Sequence, residues 1–145
     1  KKKIIIICSI ILLIIVGVII YFAVKSNNIE KYENADKYII NDEEITSVKT
    51  VLGKKEIQKY SRDSETLELT FKDENKEKSA EEYIKYLLNN GNYIKANLQD
   101  KNKQQISKSA NNSSNVVIVE TELTEEGFKV IIQVGPGQIH IDPIE

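Results

Sequence analysis

Residues 4–24 read IIIICSIILLIIVGVIIYFAV, with Lys1, Lys2 and Lys3 before them and Lys25 after. No charge or amide interrupts the run, and only Cys8, Ser9 and Tyr21 bring polar side-chain atoms. At about 1.5 Å per helical residue it reaches about 31 Å, enough to cross a hydrocarbon core of roughly 30 Å. Each Ile, Leu, Val or Phe favours insertion by about 0.3 to 0.6 kcal/mol, and together they contribute roughly 5 to 10 kcal/mol. β-Branched residues are mediocre helix formers in water. In lipid that preference is overridden, because every backbone N–H and C=O must be satisfied within the segment. The sequence predicts one transmembrane helix, with the membrane bilayer as the partner of residues 4–24.

Two rival readings share these features. A cleaved signal peptide has an apolar core of about 7 to 15 residues, shorter than this one. The only small-residue pattern nearby, Val24-Lys25-Ser26, is a poor cleavage site; cleavage near Ser26 would release a secreted domain. A lipidated Cys8 is disfavoured, because bulky Ile7 precedes it and only four apolar residues lead up to it. Lys1, Lys2 and Lys3 place the N-terminus in the cytoplasm and the rest of the chain outside, as a signal anchor. The expected organisation is a cytoplasmic tail at 1–3, the membrane helix at 4–24, a juxtamembrane linker at 25–41 and an extracytoplasmic domain at 42–145.

Removing residues 1–25 takes away four lysines and no acid, leaving 16 basic residues against 22 acidic ones, a net charge of −6. That balance argues against nucleic acid, which demands a basic face. With one cysteine in the whole chain there is no intramolecular disulfide, so the domain depends on its core alone. Lysine outnumbers arginine nineteen to one, beside abundant Ile and Asn, a bias that points to an AT-rich bacterial genome.

Within the soluble part, 26–35 reads as linker, continuing the membrane helix by a turn or two, and Tyr38-Ile39-Ile40 fits neither helix nor strand decisively. Asn41 or Asp42 as cap, Glu43 and Glu44 near a helix N-terminus, and Ile45, Val48, Val51 and Leu52 on one face predict a helix at 43–52 ended by Gly53. Residues 54–60 and 66–71 read as a hairpin, with Leu67, Leu69 and Phe71 facing inward and 61–64 as its turn. A polar loop at 72–78 precedes a capping box, Ser79 to Glu82, and a helix at 80–90 with Ala80, Ile84, Leu87 and Leu88 as its stripe. Gly91 is expected in the left-handed conformation after it.

Residues 93–98 read as a strand with Ile94, Ala96 and Leu98 on one side. The stretch 100–115 reads as a poorly ordered polar loop with at most a short strand around Ile106. Residues 116–123 and 128–134 form a clear hairpin, with Gly127 expected at positive φ in its turn. Gly135-Pro136-Gly137 is read as a break, and 138–141 as a final edge strand. The fold class that follows is an N-terminal transmembrane helix and a small α+β domain, an antiparallel sheet with one or two helices on one face.

The chemical inventory is thin. His140 is the only histidine and sits between Ile139 and Ile141. Asp73, Asn75, Glu77, Ser79 and Glu81 alternate like calcium-loop ligands, but Lys78 stands where the turn needs Gly and Ile84 where a bidentate Glu belongs. Gly135-Pro136-Gly137 lacks the donors of a phosphate loop. The acid pairs Glu43-Glu44, Glu81-Glu82 and Glu125-Glu126 sit at expected helix starts and a turn tip. Asn111 and Asn112 open two overlapping glycosylation sequons that carry no weight in a bacterium. We therefore expect no catalytic, cofactor or metal site. The reading is a single-pass membrane protein presenting a non-enzymatic binding module to a protein or envelope partner. A secreted domain and a carboxylate-based envelope enzyme are the alternatives.

Overall fold

The computed structural model describes residues 2–112 and 114–139, so His140 and the end of the expected 138–141 strand lie outside the described residues. The chain divides into two compact units, residues 1–32 and 33–145. The first is built on α1, Lys2–Asn34, which carries the helix well past Lys25. Its apolar side chains are exposed on every side, from 45% at Val16 to 72% at Leu13. Ser9 Oγ donates to the Ile5 carbonyl at 2.9 Å, so the one hydroxyl within the first turns is satisfied by the helix itself.

The second unit is an α+β domain. It opens with a two-residue hairpin, β1 Lys37–Ile40 and β2 Glu43–Thr46, turned by Asn41 (φ 48°) and Asp42 (φ 66°). The helix expected at 43–52 is therefore mostly absent. Residues 43–46 form a strand, Ser47 Oγ caps by accepting the Thr50 N–H at 3.2 Å, and only α2, Val48–Leu52, is helical. Ile45 and Val48 face inward in either conformation, so the apolar spacing could not distinguish them. What decides is the turn: paired positive φ angles at Asn41 and Asp42 reverse the chain sharply.

A six-stranded antiparallel sheet follows, in the order β3-β4-β8-β7-β6-β5. Its strands are β3 Ile57–Arg62, β4 Thr66–Lys72, β5 Ile94–Lys95, β6 Lys103–Ser109, β7 Asn115–Leu123 and β8 Gly127–Pro136. α3, Lys76–Asn90, lies across β6, β7 and β8. The inner sheet face carries Leu67, Leu69, Phe71, Val117, Val119, Phe128, Val130, Ile132 and Val134, all buried. Ala80, Tyr83, Ile84 and Leu87 of α3 close over it, while Leu88 is only half-buried. The second layer is thus mixed. The Arg62 guanidinium donates to the Ile39 carbonyl at 3.0 Å and the Asn41 amide to the Val134 carbonyl at 3.4 Å, tying the β1–β2 hairpin to the sheet beside the helices.

Several local expectations give way to tertiary packing. Ser79 is not a cap: α3 begins at Lys76, whose ammonium donates to the Thr124 and Glu125 carbonyls at 2.5 and 3.0 Å, and Ser79 is buried. Gly91 has φ −126°, and the left-handed residue is Asn92 (φ 57°). Glycine is needed at 91 for space, since a Cβ would meet the Tyr93 ring at 2.5 Å. Gly127 likewise has no positive φ; a Cβ there would lie 1.8 Å from the Phe71 carbonyl oxygen, so it permits the close approach of β8 to β4.

The strand expected at 93–98 shrinks to Ile94–Lys95, with Ile94 and Leu98 exposed. The expected polar loop at 100–115 contains the seven-residue β6, because β7 supplies a full ladder and Ile106 fills the inner face. Gly135 and Pro136 continue β8 rather than breaking it.

Candidate functional site

A concavity of about 610 Å³ lies on the outer face of the sheet, opposite α3. Beside it the pairing of edge strand β3 with β4 shifts register between Ile57 and Lys59. Lys59 and Ser61 of β3 and the Thr124–Glu126 turn form the walls of the concavity; Glu68, Thr70 and Lys129 form its floor. Strand alternation sends those floor residues outward while Leu69 and Phe71 point to the core. Lys129 Nζ lies 3.3 Å from Glu68 Oε1, and the Gln58 amide donates to Glu126 at 2.5 Å. Beyond it, Lys103 lies 3.9 Å from both Glu120 and Glu122. These half-exposed pairs are each worth about 0 to 1 kcal/mol, so they balance the face more than they stabilise it.

The acid pairs of the sequence separate. Glu43 and Glu44 do not begin a helix: on strand β2 they point to opposite sides. Glu44 pairs with Lys37 at 2.8 Å, whereas Glu43 is buried and accepts the Asn111 N–H. Glu125 and Glu126 do sit at a turn tip, on the groove rim, and Glu81 and Glu82 are exposed on α3. The first would-be calcium ligand, Asp73, is instead buried in an ion pair, its Oδ2 2.8 Å from Lys55 Nζ and its Oδ1 accepting the Asn75 N–H at 2.8 Å. Burial pushes Asp73 up, but the bonds from Lys55, Ser79 and Asn75 outweigh it and hold the carboxyl below its ordinary value. Among the described residues no group of three or more His, Cys, Asp or Glu converges.

Sequence reasoning missed a buried polar layer between the hairpin and α3. The Tyr83 hydroxyl donates to the Thr46 carbonyl at 2.8 Å, and the Tyr38 hydroxyl accepts the Val48 N–H at 3.1 Å. Burial raises the pKa of Tyr83, with Tyr38 and Tyr93 close by adding to it. Tyr83 stands three residues after Ala80 on the inward stripe, the one local signal for its burial. No family model, curated protein or solved structure matches the chain.

Proposed function

We propose that this is a single-pass membrane-anchored protein whose α+β domain binds a protein or envelope partner outside the cell. The observation that carries the reading is α1: apolar side chains exposed all round a helix this long form a surface suited to hydrocarbon and not to water. The lysines ahead of it favour a cytoplasmic N-terminus. The open groove on the outer sheet face, rimmed by exposed polar side chains, supports recognition by contact. A carboxylate-based enzyme would need two or more desolvated acids converging in a deep pocket; Glu68, Glu125 and Glu126 in the groove are half-buried or exposed.

A reporter active only outside the cytoplasm, fused after residue 145, tests the topology. An active fusion is expected; an inactive one beside an active cytoplasmic reporter would overturn the reading. Cell fractionation separates anchored protein from a domain released near Ser26. Crosslinking from Lys59 to Cys at the groove rim, followed by recovery of the detergent-solubilised protein, identifies what it contacts.

A further inference from the structure

Asn90 closes α3 and Gly91 follows it, the one Asn-Gly pair in the sequence. Glycine has no side chain to shield its backbone nitrogen, so it is the neighbour that attacks an asparagine side chain most easily. The fold keeps this glycine. A Cβ at 91 would lie 2.5 Å from the ring of Tyr93, itself only 8% exposed, and 2.9 Å from the Leu87 carbonyl oxygen. A bulkier residue that would slow the attack is therefore shut out, while Asn90 itself is exposed to water.

The helix holds both reacting groups back. The Asn90 side-chain amide donates to the Tyr86 carbonyl at 2.9 Å, and the Gly91 N–H donates to the Leu87 carbonyl at 2.9 Å. Both bonds point back along α3, so the intact turn restrains Asn90 Cγ and the Gly91 nitrogen from meeting. That turn is a helix end, and helix ends open more readily than the core they adjoin.

We propose that Asn90 is a self-modification site, deamidated through Gly91 when the last turn of α3 opens. The Gly91 nitrogen gives up its proton and bonds to Asn90 Cγ; the Cγ–Nδ2 bond breaks, and ammonia leaves with that proton. Water then opens the cyclic imide at either of its carbonyls, giving aspartate or isoaspartate. The product cannot restore the turn. Its donor to the Tyr86 carbonyl is gone, and a carboxylate stands at the negative end of the helix dipole. Isoaspartate also lengthens the backbone next to the tight contact of Gly91 with Tyr93. The modification therefore loosens α3 where it leads into β5.

The test ages the full chain in neutral-detergent micelles in mildly alkaline buffer, with and without guanidinium, and follows every asparagine by peptide mass mapping. In guanidinium Asn90 should deamidate fastest. In the folded chain it should slow roughly tenfold to a hundredfold, because two hydrogen bonds must open first. Hydrogen exchange at the Gly91 amide should show protection of the same order. Asn90→Asp should melt below the wild type, and Asn90→Gln, whose longer side chain cyclises more slowly, should resist ageing. Three results overturn the proposal. Another asparagine, such as exposed Asn112 in the β6–β7 turn, reacts first in guanidinium; Asn90 reacts equally fast folded and unfolded, or not at all when folded; or Asn90→Asp melts like the wild type.

Discussion

Glu43 Oε1 accepts the backbone N–H of Asn111, joining strand β2 to the β6–β7 turn across 68 residues of sequence. Glu43 is 4% exposed, so this carboxylate ties the first hairpin of the domain to the far side of its sheet from a buried position. Removing it with Glu43→Ala takes the charged acceptor from the part-buried Asn111 N–H and should cost about 1 to 3 kcal/mol. Glu43→Gln keeps an acceptor oxygen and should cost clearly less. Denaturant melts of a fragment spanning residues 33–145 compare them; equal losses would mean that the bond to Asn111 is not what Glu43 contributes.

Leu87 lies on the buried stripe of α3 over the sheet. Leu87→Ala should cost about 2 to 5 kcal/mol through lost burial and a cavity, a large share of a small domain's stability. Lys103, half-buried on β6 and 3.9 Å from two glutamates, should tolerate Ala within about 0.5 kcal/mol. The same melts decide, and a Leu87→Ala midpoint like the parent's would refute packing of α3 on the sheet.

Asp73 sets an acid dependence. Its folded pKa is depressed, so its contribution is complete above the unfolded value of about 3.9 and is lost as pH falls through the lower folded value. Asp73→Asn should therefore flatten the stability-against-pH curve below about pH 4 while lowering stability at neutral pH. Its curve remaining parallel to the wild type there would show that other carboxylates carry the acid dependence.

Asp42 holds φ 66° at the second turn position of the β1–β2 hairpin. Asp42→Gly removes the Cβ penalty of that conformation and should stabilise by about 0.5 to 1 kcal/mol. Asp42→Val, β-branched at positive φ, should destabilise by about 1 kcal/mol or more. Thermal melts giving the reverse order would contradict the turn geometry.

The domain boundary has its own test. A fragment beginning at residue 42 lacks Tyr38 and Ile40, both essentially fully buried, each worth about 1.5 to 3 kcal/mol of burial. A fragment beginning at Glu33 should give a dispersed NMR spectrum and a cooperative melt, and one beginning at Asp42 should give neither. Equal folding of the two would make the first hairpin dispensable.

The sequence alone determined the elements whose signal lies within one segment. Residues 4–24 are apolar on every side of a helix, so no packing partner was needed to recognise α1. Ala80, Ile84 and Leu87 repeat at helical spacing, and Val117, Val119, Phe128, Val130, Ile132 and Val134 alternate, so α3 and the β7–β8 hairpin were legible. Tertiary structure decided the rest, because there local preference was balanced or silent. At 43–48 helix and strand bury the same residues, and the choice fell to the Asn41-Asp42 turn and the bond from Asn111. Residues 103–109 have one large apolar side chain, Ile106, and become a strand because β7 offers its backbone a complete ladder. Asp73 and Glu43 look like surface acids in sequence; only Lys55, Ser79 and Asn75 for the one, and Asn111 for the other, make their burial affordable.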